Sequence, residues 1–79
     1  MTMRYEVKGW VGAPAGSAID YRRVWSRRRA RRHALALVKR YHAEGVRDFR
    51  IAIFDGRKPL VWFLREEGNY RELYGARRH

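Results

Sequence analysis

The chain has 79 residues, no cysteine, and 19 Lys and Arg against 8 Asp and Glu, for a net charge of +11. That length allows one small domain, and the missing cysteines exclude disulfide staples, thiolate zinc sites and a cysteine nucleophile. With 46 % apolar and 14 % aromatic residues the chain is too hydrophobic for a disordered basic tail.

Arg4 to Val11 alternates, with Tyr5, Val7, Gly9 and Val11 on one side and Arg4, Glu6, Lys8 and Trp10 on the other. A period of two with aromatic and β-branched residues is the pattern of a half-buried strand. Gly12-Ala13-Pro14-Ala15-Gly16-Ser17 concentrates turn residues. Gly9, Gly12 and Gly16 are accordingly expected in turns or bulges. Ile19 to Trp25 alternates again, with Ile19, Tyr21, Arg23 and Trp25 set against Asp20, Arg22 and Val24. This reads as the second strand of a hairpin, with Tyr21 and Trp25 packed under a helix.

Ser26 is a good N-cap, because its hydroxyl can accept from a free amide of the first turn. No Gly or Pro interrupts Arg27 to Glu44, and Gly45 follows as a stop. Ala30, Ala34, Leu37, Val38 and Tyr41 form one apolar stripe on this helix. Asp48 to Phe54 alternates with Phe49, Ile51 and Ile53 on one side. Asp55-Gly56 signals a hairpin, and Pro59 implies a loop longer than two residues. Leu60 to Leu64 is expected as the last strand, ended by Glu66-Glu67-Gly68. A short helical turn over 69–74 and a frayed tail over 77–79 complete the chain.

The expected fold is α+β: a single two-layer ββαββ domain over 1–79. Its four-stranded, mostly antiparallel sheet has the order 2-1-3-4 and carries one long amphipathic helix on one face. The final strand is apolar on both faces. Its outer side needs cover, either from Tyr70, Leu73 and Tyr74 folding back or from a second copy in a homodimer.

Between Asp20 and Glu44 there is no acid and there are nine cations: Arg22, Arg23, Arg27, Arg28, Arg29, Arg31, Arg32, Lys39 and Arg40. With the apolar stripe on the sheet, Arg28, Arg32 and Lys39 fall on the opposite face, flanked by Arg29 and Arg40. Cations gathered on one helix face are the footprint of a polyanion binder. Arg27, Arg28 and Arg29 occupy the first turn, where the helix dipole disfavours cations by about 0.3–1 kcal/mol each. A phosphate held by the first-turn amides, the Ser26 hydroxyl and several guanidinium groups removes that conflict. The competing explanation is a solvated face shaped by codon usage, since 16 Arg stand against 3 Lys.

Trp10 and Trp62 are candidates for base stacking or for an interface. They are expected on the sheet face away from the helix, near Arg4, Lys8, Arg50 and Arg65. His33 and His42 are nine residues apart, which is not a zinc-helix spacing. His33 is expected on the helix flank among arginines, which hold it neutral. Glu6 is expected to pair with a cross-strand Arg. No catalytic group, metal or cofactor is expected. No apolar run approaches the about 18 residues of a membrane helix, and Met1 to Val11 has no apolar core of the secretory kind. A cytoplasmic location in a prokaryote or a phage-infected cell is therefore expected.

The sequence thus predicts a small, non-catalytic nucleic-acid-binding protein. Arg22, Arg23, Ser26, Arg27, Arg28, Arg29, Arg32, Lys39 and Arg40 contact the DNA or RNA backbone, largely without sequence preference. The alternative is a phage-encoded interaction protein that modulates an acidic host protein, with Trp10 or Trp62 as anchors.

Overall fold

The computed structural model describes residues 3–12 and 18–75. Residues 13–17 of the loop expected over 12–17, and the tail expected over 77–79, lie outside them. Strands β1 (Tyr5–Val11) and β2 (Asp20–Val24) precede helix α1 (Arg27–Ala43), and strands β3 (Phe49–Asp55), β4 (Lys58–Glu66) and β5 (Asn69–Tyr74) follow it. The sheet is antiparallel throughout, in the order β2-β1-β3-β4-β5. The class is α+β, and the first four strands stand in the expected order. The fifth strand is a correction: residues 69–74 extend the sheet instead of forming a helical turn.

A two-residue turn makes this fifth strand. Glu67 and Gly68 both have positive φ, 51° and 85°, as a type I′ hairpin requires. Glu67 is a poor residue for that geometry, and its left-handed backbone costs about 1–2 kcal/mol. Its surroundings hold it there. The Glu67 amide donates to Asp48 Oδ1 at 2.9 Å, and Arg47 Nη2 donates to the Glu67 carbonyl at 3.0 Å. The Gly68 amide donates to the Arg47 carbonyl at 3.2 Å.

The β3–β4 turn is shorter than Pro59 suggested. Gly56 and Arg57 alone connect the strands. Pro59 is accommodated inside β4 because the register shifts beside it: Ile53 pairs with Val61 but Phe54 with Pro59. The bulge removes the need for a proline N–H in a regular ladder.

Helix α1 begins and ends where its sequence signals place it. The Ser26 hydroxyl accepts from the Arg29 amide at 3.2 Å. At the other end the Val46 amide donates to the Tyr41 carbonyl and the Gly45 amide to the His42 carbonyl, with Gly45 at φ 78°. That is the Schellman pattern. Ala30, Ala34, Leu37 and Tyr41 are buried against Val7, Val24, Ile51 and Ile53. Burying each large member of this core contributes about 1.5–3 kcal/mol. The helix packs on β1, β2 and β3.

Two expectations about β1 and β2 need correcting. In β2 the residues on the helix side are Asp20, Arg22 and Val24, as their pairing with Gly9, Val7 and Tyr5 shows. Tyr21 and Trp25 are exposed instead of packed under the helix. β2 is an edge strand at the rim of the helix, so polar side chains on its inner side still reach water. Tyr21 turns outward and donates to Glu6 at 2.8 Å. Glu6 also lies across from Arg23, as expected, with 3.8 Å between Arg23 Nε and its carboxylate.

Gly9 is the second correction. It is no turn glycine: it sits in mid-strand, paired on both sides. A Cβ there would lie 2.5 Å from the Tyr41 hydroxyl oxygen. The glycine makes room for that hydroxyl, which donates to Asp20 Oδ2. Arg40 Nη2 donates to both Asp20 oxygens at 2.9 Å. Asp20 thus clamps the edge strand to the last turns of α1. Partial burial raises its carboxyl pKa, but the bonds from Tyr41 and Arg40 outweigh it and leave the carboxyl below its ordinary value. Burial, and then the bond to Asp20, push the Tyr41 phenol well up.

Tyr41→Phe should cost about 1–2 kcal/mol of stability through the lost bond, and Gly9→Ala should destabilise through the clash. The two should be strongly coupled in a denaturation double-mutant cycle, because removing the hydroxyl frees the space a Cβ needs. Additive effects would contradict the clamp. The depressed Asp20 stabilises the fold above its unfolded pKa, and this contribution disappears as pH falls through its folded value. Asp20→Asn should therefore flatten the acid limb of the stability profile.

Candidate nucleic-acid interface

The helix distributes its cations by angle around its axis. Arg28, Arg32 and Lys39 lie on the crest away from the sheet and are exposed. Arg29, His33 and Arg40 lie on the flank facing β2. Arg31 lies on the flank facing β4, where its guanidinium sits 5.9 Å above the Phe63 ring and donates to the Tyr74 hydroxyl.

Between the β2 flank and the edge strand is an open cleft of about 270 Å³. Arg22, Arg29, Arg32 and His33 line it, together with Trp25 and with Arg23 at its rim. No acid lines it. Among the described residues Arg22, Arg27, Arg28, Arg29, Arg32 and Lys39 form no ion pair. Arg22 reaches this cleft because β2 has the parity that turns it toward the helix.

In the first turn the Ser26 hydroxyl accepts from the Arg29 amide and keeps its own O–H to donate. Arg29 turns into the cleft, while Arg27 stands near enough to Asp55 to lower its pKa, although less than the hydrogen bond from Arg4 does. Arg40 is withdrawn by Asp20. Arg23 is shared between Glu6 and the Met3 carbonyl. The convergent set is therefore Arg22, Arg29 and Arg32 in the cleft, continued by Arg28 and Lys39 along the crest.

His33 and Trp25 join this set, which the charge count alone did not reveal. Burial is the main cause holding the His33 imidazole below its ordinary pKa, and Arg22 is the next. Asp20 opposes them and Arg40 assists them. His33 thus lies on the helix flank among arginines, as expected, but burial and not the arginines is the main cause that favours its neutral form.

On the opposite face of the sheet Trp10 and Trp62 come together. Their ring centroids are 5.9 Å apart and the planes differ by 27°. Phe54 meets Trp62 edge-on at 6.1 Å. The Arg50 guanidinium lies 5.6 Å from the Trp10 ring, and Lys8 Nζ lies 5.1 Å from the Phe54 ring. The two other expected neighbours are elsewhere. Arg4 is bound to Asp55 at 2.7 and 2.8 Å. Arg65 lies on the helix side, donating to the Val46 and Gly68 carbonyls and to His42 Nδ1. Tyr70, Leu73 and Tyr74 do not fold over the outer face, because they are members of β5.

No family model matches the chain, and no curated protein or solved structure matches it. Among the described residues no helix is long and apolar enough to cross a membrane.

An anion entering the cleft favours the protonated form of His33, so binding takes up a proton. Affinity for inorganic polyphosphate should rise several-fold as pH falls through the window below the usual imidazole value of about 6.5. His33→Asn should remove this pH dependence while leaving binding at pH 7.5 nearly unchanged. A pH profile identical in both proteins, read by calorimetry, would place the anion elsewhere.

Proposed function

We propose that this domain binds nucleic acid without catalysis, gripping the phosphate backbone in the cleft between β2 and α1 and along the crest of the helix. The supporting observation is the acid-free cleft. Arg22, Arg29 and Arg32 face one opening with no acidic partner among the described residues. Such an arrangement leaves guanidinium groups solvated and mutually repelling until a polyanion arrives. Phosphate oxygens match the guanidinium fork and relieve that repulsion. Arg28 and Lys39 extend the same surface, so the footprint is longer than one small anion.

Contacts of this type carry no sequence information. Affinity therefore depends on salt through counterion release. About five neutralised phosphates give a slope of log affinity against log salt of about −4.5 on duplex DNA and about −3.5 on a single strand. Arg29→Gln with Arg32→Gln should reduce the steepness by about 1.5–2. Fluorescence anisotropy with a labelled oligonucleotide reads both quantities. A slope near zero, or no binding at low salt, would overturn the reading. Retention of one acidic protein after nuclease treatment, without any oligonucleotide affinity, would favour a protein partner instead.

A further inference from the structure

The aromatic cluster on the outer sheet face has no role in gripping phosphates. Trp10 on β1 and Trp62 on β4 meet across β3. They can do so because Ala52 lies between them in the sheet and carries only a methyl group. Ala52 pairs with Lys8 on one side and Trp62 on the other and is fully buried although it points away from the helix. Both indoles remain partly exposed. Phe54 extends the aromatic surface along β3.

Cations edge this surface. Arg50 stands beside Trp10, and Lys8 lies between Phe54 and Tyr21, 5.1 and 5.9 Å from their rings. The acid nearest to it, Glu6, already accepts from Tyr21 and lies close to Arg23 and Lys8. A second copy of the chain is a poor occupant. A two-fold contact would gather Arg50 and Lys8 of both copies into one interface, and like charges gathered at an interface are costly. A partly exposed aromatic cluster bordered by cations suits unpaired bases with their phosphates.

The two faces are joined around the β2 edge. Arg23 and Tyr21 point to the outer face, and the intervening Arg22 points into the cleft. A duplex is too stiff to turn this edge, and its bases are already paired and stacked. We propose that the ligand is a single strand, whose bases stack on Trp10, Phe54 and Trp62 while its backbone passes Arg23 and turns into the Arg22, Arg29 and Arg32 cleft. This rests on the nucleic-acid reading above and narrows it to unpaired strands.

Affinities are read on the unaltered chain, because Trp25 lines the cleft, and emission is read on Trp25→Phe, in which it comes from Trp10 and Trp62 alone. The probes are oligo(dT), a duplex of equal length, and inorganic polyphosphate, which carries the charge without bases. Oligo(dT) should quench and shift the emission at saturation. Duplex and polyphosphate should bind, by calorimetry, with little change in emission. Trp62→Leu should weaken oligo(dT) by about ten-fold or more and leave polyphosphate within two-fold, which also shows that the variant is folded. Equal quenching by polyphosphate, or binding of oligo(dT) without quenching, overturns the stacking proposal and leaves the phosphate reading intact. Emission that changes with protein concentration alone marks a second copy as occupant and also overturns it. Failure of all three probes to bind removes the nucleic-acid reading itself.

Discussion

An α-helix with its side chains is about 10–12 Å across, whereas five strands at about 4.8 Å spacing make a sheet about 20 Å wide. One helix therefore covers little more than half of this sheet, and most other features of the molecule answer that mismatch. α1 packs over β1, β2 and β3. Toward β4 and β5 the cover is supplied by Arg31, whose guanidinium sits over Phe63 and bonds Tyr74. Toward β2 the helix rim leaves a cleft into which polar side chains project. The outer face has no helix, and its aromatic residues cover one another.

The same mismatch assigns the charges. A cation on the β4 flank is used to shield apolar surface, as Arg31 is. A cation opposite Asp20 closes the clamp between helix and edge strand, as Arg40 does. Those on the crest and around the N-terminal half of the cleft, Arg28, Arg29 and Arg32, have no acidic partner among the described residues. Arg22 joins them from the strand. Position relative to the edge of the sheet separates structural arginines from candidate binding ones, and a count of charges does not.

The helix was legible in the sequence because its cap, its stripe and its stop agreed. Ser26, the Ala30 to Tyr41 spacing and Gly45 each have a local cause. β1 and β3 were legible through clean alternation. β5 was not, because its turn uses Glu67 in a left-handed conformation held by Asp48 and Arg47, which are nearly twenty residues away. The parity of β2 was hidden for a similar reason: an aromatic at the edge of a sheet can pair with a carboxylate outside as readily as pack inside. Gly9 carried no local sign of its purpose, which is set by Tyr41. For the site, the acid-free run was visible, but its division among crest, flank and clamp depends on the angle around α1. Trp25 and His33 entered only when β2 and α1 were placed side by side. The closeness of Trp10 and Trp62 depended on strand order and on Ala52 between them.

The central claim is that the cleft at the β2 edge is a binding surface and not merely a solvated one. The most direct measurement is a two-dimensional NMR titration of the arginine Nε–H and tryptophan indole signals with a short single-stranded oligonucleotide. Arg47 and Arg65 serve as internal controls, since both are held by backbone carbonyls. The account predicts that Arg22, Arg29, Arg32 and Trp25 shift together, that salt reverses the shifts, and that Arg47 and Arg65 stay fixed. Binding with the cleft signals unmoved, or with shifts spread equally over all the arginines, would contradict it.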